Sequence, residues 1–119
     1  MKLQLTMNGG SLAGRTFDLE TGFLTIGRGD TCSVRFDPLS ERIASKQHAF
    51  IEAKADGYYI TDNSSTNGTL VNGTPITSSK LNSGDEVQFG RNGVTDGQDR
   101  PATGRFAGDG AFHTAGELS

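Results

Sequence analysis

Residues 45–73 read SKQHAFIEAKADGYYITDNSSTNGTLVNG. Two strand-like runs, 49–53 and 57–61, are separated by the turn signal Asp56-Gly57, and residues 70–76 form a second hairpin pattern around Asn72-Gly73. An Asn-Gly pair can supply both positive φ angles of a type I′ turn, which is a common turn of two-residue β-hairpins. The stretch therefore predicts antiparallel strands joined by tight turns, with a polar loop between the two hairpins.

The rest of the chain up to Gly90 continues this alternation of short strands and turns. Leu3, Leu5 and Met7 alternate with polar residues, which is the period of a strand with one face in water. No window of about 11 residues shows helical periodicity with end signals. Further strand patterns lie at residues 16–19, 23–26, 34–36 and 86–89. This spacing predicts an all-β domain, a β-sandwich.

The composition changes after Gly90. Residues 91–119 are rich in Gly, Asp, Thr and Ala, and their large apolar residues are Val94, Phe106, Phe112 and Leu118. The sequence thus predicts a domain over residues 1–90 and a tail or linker over residues 91–119. A late edge strand near Phe106 or Phe112 is the one regular element expected there.

Bulk properties exclude several classes of protein. The 119 residues carry a net charge of −3, whereas a general nucleic-acid or anionic-membrane binder needs a basic face. No apolar run approaches the roughly 20 residues that span a bilayer. Cys32 is the only cysteine, so no internal disulfide can form, and a reducing, cytoplasmic location is expected.

Two short polar motifs carry groups that can bind a phosphate. Arg28 follows a strand pattern and lies between Gly27 and Gly29, and its guanidinium offers a planar fork of donors that matches two phosphate oxygens. Ser45 adds a hydroxyl, and Lys46 adds a charge and a backbone N–H. His48 opens a strand-like run, so we expect it to be partly buried and to brace the loop.

The loop of residues 63–69 consists of small polar residues, whose side chains can bond nearby backbone groups and stiffen the loop. Thr66 offers a hydroxyl, and Gly68 permits a conformation that a Cβ would strain. The Asn67 amide both donates and accepts, so it can pair with the backbone of an extended peptide without reading its side chains. Together the three motifs predict a phosphate-recognition site built from loops.

Catalysis and metal binding are not supported. Ser45 and His48 could tempt an assignment as nucleophile and base, but no acid is placed to orient the imidazole and no Gly-x-Ser-x-Gly motif occurs. There is no nucleotide P-loop motif and no Cys/His cluster. Asp37, Glu41 and Asp62 match no calcium-loop spacing. We expect neither an enzyme nor a cofactor.

The ordered motifs resemble the forkhead-associated (FHA) domain family. The resemblance covers about residues 3–90, in the string IGRG…SKQHAFIEA…GYYITDNSSTNGTLVNG…LNSGDEVQFG. It implies a β-sandwich of two twisted sheets with about eleven strands, whose loops at one end bind phosphothreonine in an extended peptide. It further implies phosphate contacts from Arg28, Ser45, Lys46 and Thr66, a peptide-backbone contact from Asn67, and loop-structuring roles for Gly27, His48 and Gly68.

The chain departs from the family pattern at two places. The segment 37–44 is long, and the last strand of the family, which pairs near the first, has no clear counterpart after Gly90. An irregular sheet edge is therefore expected.

The expected function is phosphothreonine-dependent binding in signalling, with a Ser/Thr kinase or its substrate as partner and no nucleic acid or membrane. The alternative is phosphate-independent association or self-association. A third option is self-recognition through a phosphorylated Thr95, Thr103 or Thr114.

Overall fold

The computed structural model describes residues 2–37, 39, 44–90 and 101–108, and these form two β-sheets. The eleven strands are β1 Leu3–Gly9, β2 Thr16–Leu19, β3 Phe23–Gly27, β4 Val34–Arg35, β5 Ala49–Lys54, β6 Gly57–Asp62, β7 Thr69–Val71, β8 Thr74–Pro75, β9 Ser78–Lys80, β10 Glu86–Phe89 and β11 Ala102–Gly108. No helix long and apolar enough to cross a membrane occurs in the part of the chain that the structure describes.

The two sheets pack face to face around one apolar core. The six-stranded sheet has the order β2-β1-β11-β10-β7-β8, and the five-stranded sheet has the order β4-β3-β5-β6-β9. The described strand pairs are antiparallel, except that β4 runs parallel to β3. In β1 the predicted alternation holds, because Leu3, Leu5 and Met7 are buried while Gln4 and Thr6 are exposed. The predicted all-β sandwich is confirmed.

Aromatic side chains extend the largely aliphatic core toward one end of the sandwich. Phe36 and Phe89 pack with ring centroids 5.4 Å apart, and both are fully buried. The ring of His48 stands edge-on to Phe89 at 5.7 Å with an interplanar angle of 90°. The core thus extends to the loops that the sequence predicts to form a binding site. The side chain of His48, from one of these loops, packs against core residue Phe89.

The Asn72-Gly73 hairpin has the predicted turn. Asn72 has φ 53° and Gly73 has φ 82°, the two positive angles that a type I′ turn requires. The Asn72 side chain also accepts a hydrogen bond from the Glu86 N–H at 3.0 Å and donates one to Asp85 Oδ1 at 3.0 Å. These bonds tie the β7–β8 hairpin to the start of β10.

The C-terminal part of the sandwich differs from the expectation. A strand does form around Phe106, but β11 lies in the middle of the six-stranded sheet, between β1 and β10, and not at an irregular edge. Phe106 is fully buried and pairs with Leu5. The sandwich therefore extends to Gly108, beyond the boundary placed at residue 90.

Small residues hid the length and the central place of this strand from sequence reasoning. A Cβ at Gly104 would lie 2.8 Å from Leu5 Cδ1 and 3.1 Å from Met7 Sδ, so glycine leaves room for the side chains of β1. Thr103 is a strand residue whose hydroxyl donates to Asn8 Oδ1 at 2.5 Å. Of the other tail residues singled out above, Val94, Thr95, Phe112, Thr114 and Leu118 lie outside the described residues.

The central place of β11 predicts that substitutions of the neighbouring residues Phe106 and Arg105 change the free energy of unfolding by very different amounts. Phe106→Ala should lower the free energy of unfolding by about 3–5 kcal/mol, because it empties a fully buried site. Arg105→Ala should cost under about 1 kcal/mol, because Arg105 is exposed and forms a surface ion pair with Glu86. Urea unfolding of both variants measures the difference, and equal small losses would place β11 outside the cooperative unit.

Candidate functional site

Three loops meet at one end of the sandwich. They are the β3–β4 loop (28–33), the β4–β5 loop, whose segment 44–48 is described, and the β6–β7 loop (63–68). The Arg28 N–H donates to the Ser45 carbonyl at 3.1 Å, and the Gly29 N–H donates to the Lys46 carbonyl at 2.9 Å. Arg28 Nε also donates to the Ala44 carbonyl. The arginine of the first loop is thus fixed to the segment that carries Ser45 and Lys46.

This close approach requires glycine at position 27. A Cβ there would lie 2.1 Å from the Lys46 carbonyl oxygen, a distance that no side chain tolerates. The same carbonyl oxygen also faces the Cys32 thiol at 3.3 Å. Burial raises the pKa of Cys32, so the thiol keeps its proton and acts as a weak donor. Gly27 therefore acts by leaving space, whereas the side chain of Lys46 remains exposed.

His48 joins the second loop to the third. Its Nδ1 lies 3.0 Å from the Ser45 backbone nitrogen, and its Nε2 lies 2.7 Å from the Gly68 carbonyl oxygen. Because the Ser45 N–H can only donate and the Gly68 carbonyl can only accept, Nδ1 is unprotonated and Nε2 carries the proton. The ring is fully buried, and this burial lowers its pKa. The ring thus bridges the two loops through both nitrogens, and it is buried more completely than expected.

The neutral state of His48 predicts how stability depends on pH. The unfolded chain protonates this histidine near its ordinary pKa of 6.5, whereas the folded chain keeps it neutral to lower pH. The free energy of unfolding should therefore fall as the pH drops from 7 through 6.5 toward the folded pKa, by at most about 1.4 kcal/mol per pH unit for this one proton.

Urea unfolding at pH 7.5, 6.5 and 5.5 checks this dependence. Replacement by a residue that does not titrate, His48→Gln, should flatten the curve over the same interval while lowering stability overall. A wild-type free energy of unfolding that stays constant over the interval would contradict a neutral, buried His48.

Ser45 also contacts the third loop directly. Its Oγ accepts a hydrogen bond from the Thr66 N–H at 3.0 Å. Thr66 is exposed, while Ser45 and Asn67 are half-buried. Through these bonds the structure brings Arg28, Ser45 and Thr66 to one end of the molecule, where the sequence predicted a common site.

Asp62 is the residue of this region that sequence reasoning missed. Its Oδ1 accepts hydrogen bonds from the hydroxyls of Ser65 at 2.5 Å and Thr69 at 2.7 Å, and its Oδ2 accepts one from the Ser65 N–H at 3.1 Å. Burial alone would raise the pKa of Asp62, but the hydrogen bonds from Ser65 and Thr69 outweigh it, and the pKa lies below its ordinary value. An aspartate shortly before a serine in a turn is the signal that could have revealed it.

Gly68 serves the loop through its conformation. Its φ is +87°, and a Cβ built there meets no atom within 4 Å, so space is not the constraint. A left-handed backbone is costly for residues that carry a Cβ, and asparagine tolerates it better than most. This behaviour contrasts with that of Gly27, where the constraint is space.

Substitutions at position 68 should follow that difference. Gly68→Ala should lower the free energy of unfolding by about 1–2 kcal/mol because of left-handed strain, and Gly68→Asn should lower it less. Urea unfolding of the two variants gives the comparison. Equal stability of Gly68→Ala and wild type would show that the glycine is not needed for its φ.

Other candidate sites in the described residues lie elsewhere or are absent. A surface hollow of about 190 Å³ lies on the six-stranded sheet and is bordered by Asn8, Glu86 and Thr103 among others, away from the three loops. Among the residues that the structure describes, no group of three His, Cys, Asp or Glu side chains is placed to hold a metal ion.

Comparison with known proteins agrees with this geometry. The family model of the FHA domain matches residues 24–90. The chain belongs to the FHA-domain family. It is 31% identical over 106 residues to the glycogen accumulation regulator GarA of Mycobacterium tuberculosis, covering 84% of this chain and 64% of GarA. The chain spans 58% and 64% of the length of two curated relatives that it matches.

Solved FHA-domain structures share the fold. One, from a structural and functional study of phosphothreonine-dependent FHA domain interactions, superposes with a TM-score of 0.74 at 27% identity and covers 92% of this chain and 99% of that chain. The FHA domain of FhaA, solved in complex with the intracellular domain of Rv3910, superposes with a TM-score of 0.70 at 28% identity and covers 87% and 98%.

Proposed function

We propose that this chain is a phosphothreonine-dependent peptide-binding module in signalling. The observation that carries the proposal is the junction at Ser45, where the carbonyl accepts from the Arg28 N–H and the hydroxyl oxygen accepts from the Thr66 N–H. These bonds bring a guanidinium-bearing loop and two hydroxyl-bearing loops together. FHA-family membership and the likeness to a domain studied for phosphothreonine-dependent interactions support the same conclusion.

Arg28 supplies the main charge for the phosphate in this proposal. A guanidinium has five N–H donors, and the Ala44 carbonyl accepts from the one on Nε. That bond orients the group, and we assign the Nη donors to two phosphate oxygens in a bidentate pair. Arg28 is half-buried, so its charge is less screened than that of a fully exposed arginine.

Ser45, Lys46 and Thr66 complete the phosphate contacts. As the acceptor from the Thr66 N–H, the Ser45 oxygen keeps its own hydrogen for donation to a phosphate oxygen. Lys46 is exposed beside it and adds a point charge, and Thr66 is exposed and adds a hydroxyl. Three or four charge-assisted bonds, less the costs of association and ordering, give a micromolar dissociation constant.

Asn67 binds the peptide backbone in the proposal. Its amide can donate to a carbonyl and accept from an N–H of an extended chain. It lies next to Thr66 in the β6–β7 loop, so a peptide held by its phosphate would pass close to it. Gly27, His48 and Gly68 shape the loops and make no contact with ligand.

The partner we propose is a phosphothreonine-containing protein, either a Ser/Thr kinase or its substrate. The FhaA domain solved with the intracellular domain of Rv3910 is a precedent for an FHA domain bound to a protein partner. The relative GarA is named as a regulator, which supports a binding function rather than catalysis. A cytoplasmic location follows from such a partner and from the single cysteine, Cys32.

Replacement of Arg28 tests the phosphate site. Arg28→Ala should weaken binding of a phosphothreonine peptide, selected from an oriented library, by at least about 100-fold, because the charged fork is lost. Arg28→Lys should restore only part of the affinity, since an ammonium cannot pair with two oxygens at once. Isothermal titration calorimetry measures each constant, and Arg35→Ala, which removes an exposed arginine of β4, is the matched control.

The peptide controls separate this function from phosphate-independent association. The unphosphorylated peptide should show no measurable binding to the wild-type chain. Equal affinity for the two peptides, or an unchanged constant for Arg28→Ala in a folded protein, would refute the proposed function.

A further inference from the structure

We infer that Asp62 is a positioning residue for the proposed phosphopeptide site, an inference that rests on the proposed function of that site. Asp62 is the last residue of β6 and touches neither Arg28 nor Ser45 through any hydrogen bond described above. It acts through the loop that follows it, which carries Thr66 and Asn67. Its carboxylate accepts hydrogen bonds from Ser65, the residue of that loop just before Thr66.

A hydrogen bond between the Gly68 N–H and the Ser65 hydroxyl oxygen joins the two ends of the segment 65–68. The Ser65 hydroxyl donates to Asp62 Oδ1 at 2.5 Å, and its oxygen accepts the Gly68 N–H at 2.9 Å. Thr66 and Asn67 lie between the two ends of this closed segment. Their backbone positions are therefore set by a serine that is itself held by the carboxylate in two bonds, one to its hydroxyl and one to its N–H.

The same contacts continue into the second loop. The Gly68 carbonyl accepts from His48 Nε2, and His48 Nδ1 accepts from the Ser45 N–H. The Thr66 N–H returns to Ser45 Oγ at 3.0 Å. These hydrogen bonds form a closed ring that passes through Ser65, Gly68, His48, Ser45 and Thr66. Asp62 is bonded to this ring at Ser65. The ring sets the spacing between the hydroxyls of Ser45 and Thr66, which are proposed to bind phosphate.

Only an ionised carboxylate satisfies the donors that meet at this point. Two hydroxyls and one N–H converge on its two oxygens, and a carboxylate accepts at both. An asparagine has one oxygen. If that oxygen faces the hydroxyls, its NH₂ group faces the Ser65 N–H. If it faces that N–H, its NH₂ group replaces the oxygen that accepts the hydroxyls of Ser65 and Thr69, and both hydroxyls lose their acceptor. Either orientation therefore leaves at least one donor without the acceptor that the carboxylate provides.

Asp62→Asn is therefore the test, since it changes hydrogen bonding with almost no change of shape. At a temperature where each variant is folded, calorimetric titration with the library-selected phosphothreonine peptide should show binding about tenfold weaker or more. Asp56→Asn is the matched control. Asp56 lies just before the opposite end of β6, is exposed and accepts the Tyr59 hydroxyl, so the same charge loss there should leave affinity within about twofold.

A spectroscopic readout separates positioning from a general loss of stability. In the free Asp62→Asn protein, the amide resonances of Ser65, Thr66 and Gly68 should shift, while those of Leu5 in β1 and Phe106 in β11 should stay in place. A lower free energy of unfolding with unchanged peptide affinity would mean that Asp62 is only structural, and it would overturn the inference.

Ser65→Ala provides a second, independent arm if Asp62→Asn fails to fold. It removes the hydroxyl between Asp62 and Gly68, and it should weaken peptide binding by a similar factor. The loss of affinity in the double variant should be smaller than the sum of the two single losses, because both substitutions remove the bond between the Ser65 hydroxyl and Asp62. Unchanged affinity of Ser65→Ala, or additive losses in the double variant, would overturn the inference.

Absence of binding by the wild-type chain would refute the proposed function as well, whereas equal binding by wild type and Asp62→Asn would refute this inference alone.

Discussion

A neutral imidazole, buried between two loops, is the contact on which the arrangement of this end of the molecule depends. His48 accepts from the Ser45 N–H and donates to the Gly68 carbonyl, so the ring must be uncharged and in one tautomer. The ring is held edge-on by Phe89, which belongs to the core. The packing of Phe89, the tautomer of His48 and the spacing between the two loops are therefore linked. We expect a change in any one of them to affect the other two.

The sandwich contributes to the site through its connections. The β6–β7 loop crosses from the five-stranded to the six-stranded sheet, so Asp62 and Thr69 stand at its two ends on different sheets. Their hydrogen bond of 2.7 Å joins the sheets directly beneath the loop. Gly27 has the corresponding role at β3, where its lack of a side chain lets the segment 45–46 lie against the strand. The loops are thus fixed by the strands from which they emerge, although residues 63–68 include no large apolar side chain.

The sequence was informative where a pattern is local. Alternation in β1 and the Asn72-Gly73 turn could be predicted because each depends on a few neighbouring residues. A late strand near Phe106 was expected, but its place in the middle of the sheet was not, since its pairing with β1 spans about a hundred residues and Gly104 offers no side chain to mark the strand. Arg28, Ser45, His48 and Thr66 of the proposed site were predicted from chemistry and family resemblance. Asp62 was missed because its importance comes from three donors that only the folded loop brings together.

In the proposed function, the position of Asp62 explains how an acidic chain can bind an anion at this end. A carboxylate close to a bound phosphate is repulsive, and an asparagine would remove that repulsion. The carboxylate is engaged by the hydroxyls of Ser65 and Thr69 and by the Ser65 N–H, so these dipoles point their positive ends at it and reduce its field elsewhere. The same bonds order the loop before any ligand arrives, which lowers the entropy lost on binding. An electrostatic cost and a gain in preorganisation thus come from one side chain. In the proposed site the phosphate charge is met by Arg28 and Lys46, which belong to the other two loops, so we expect the gain to outweigh the cost.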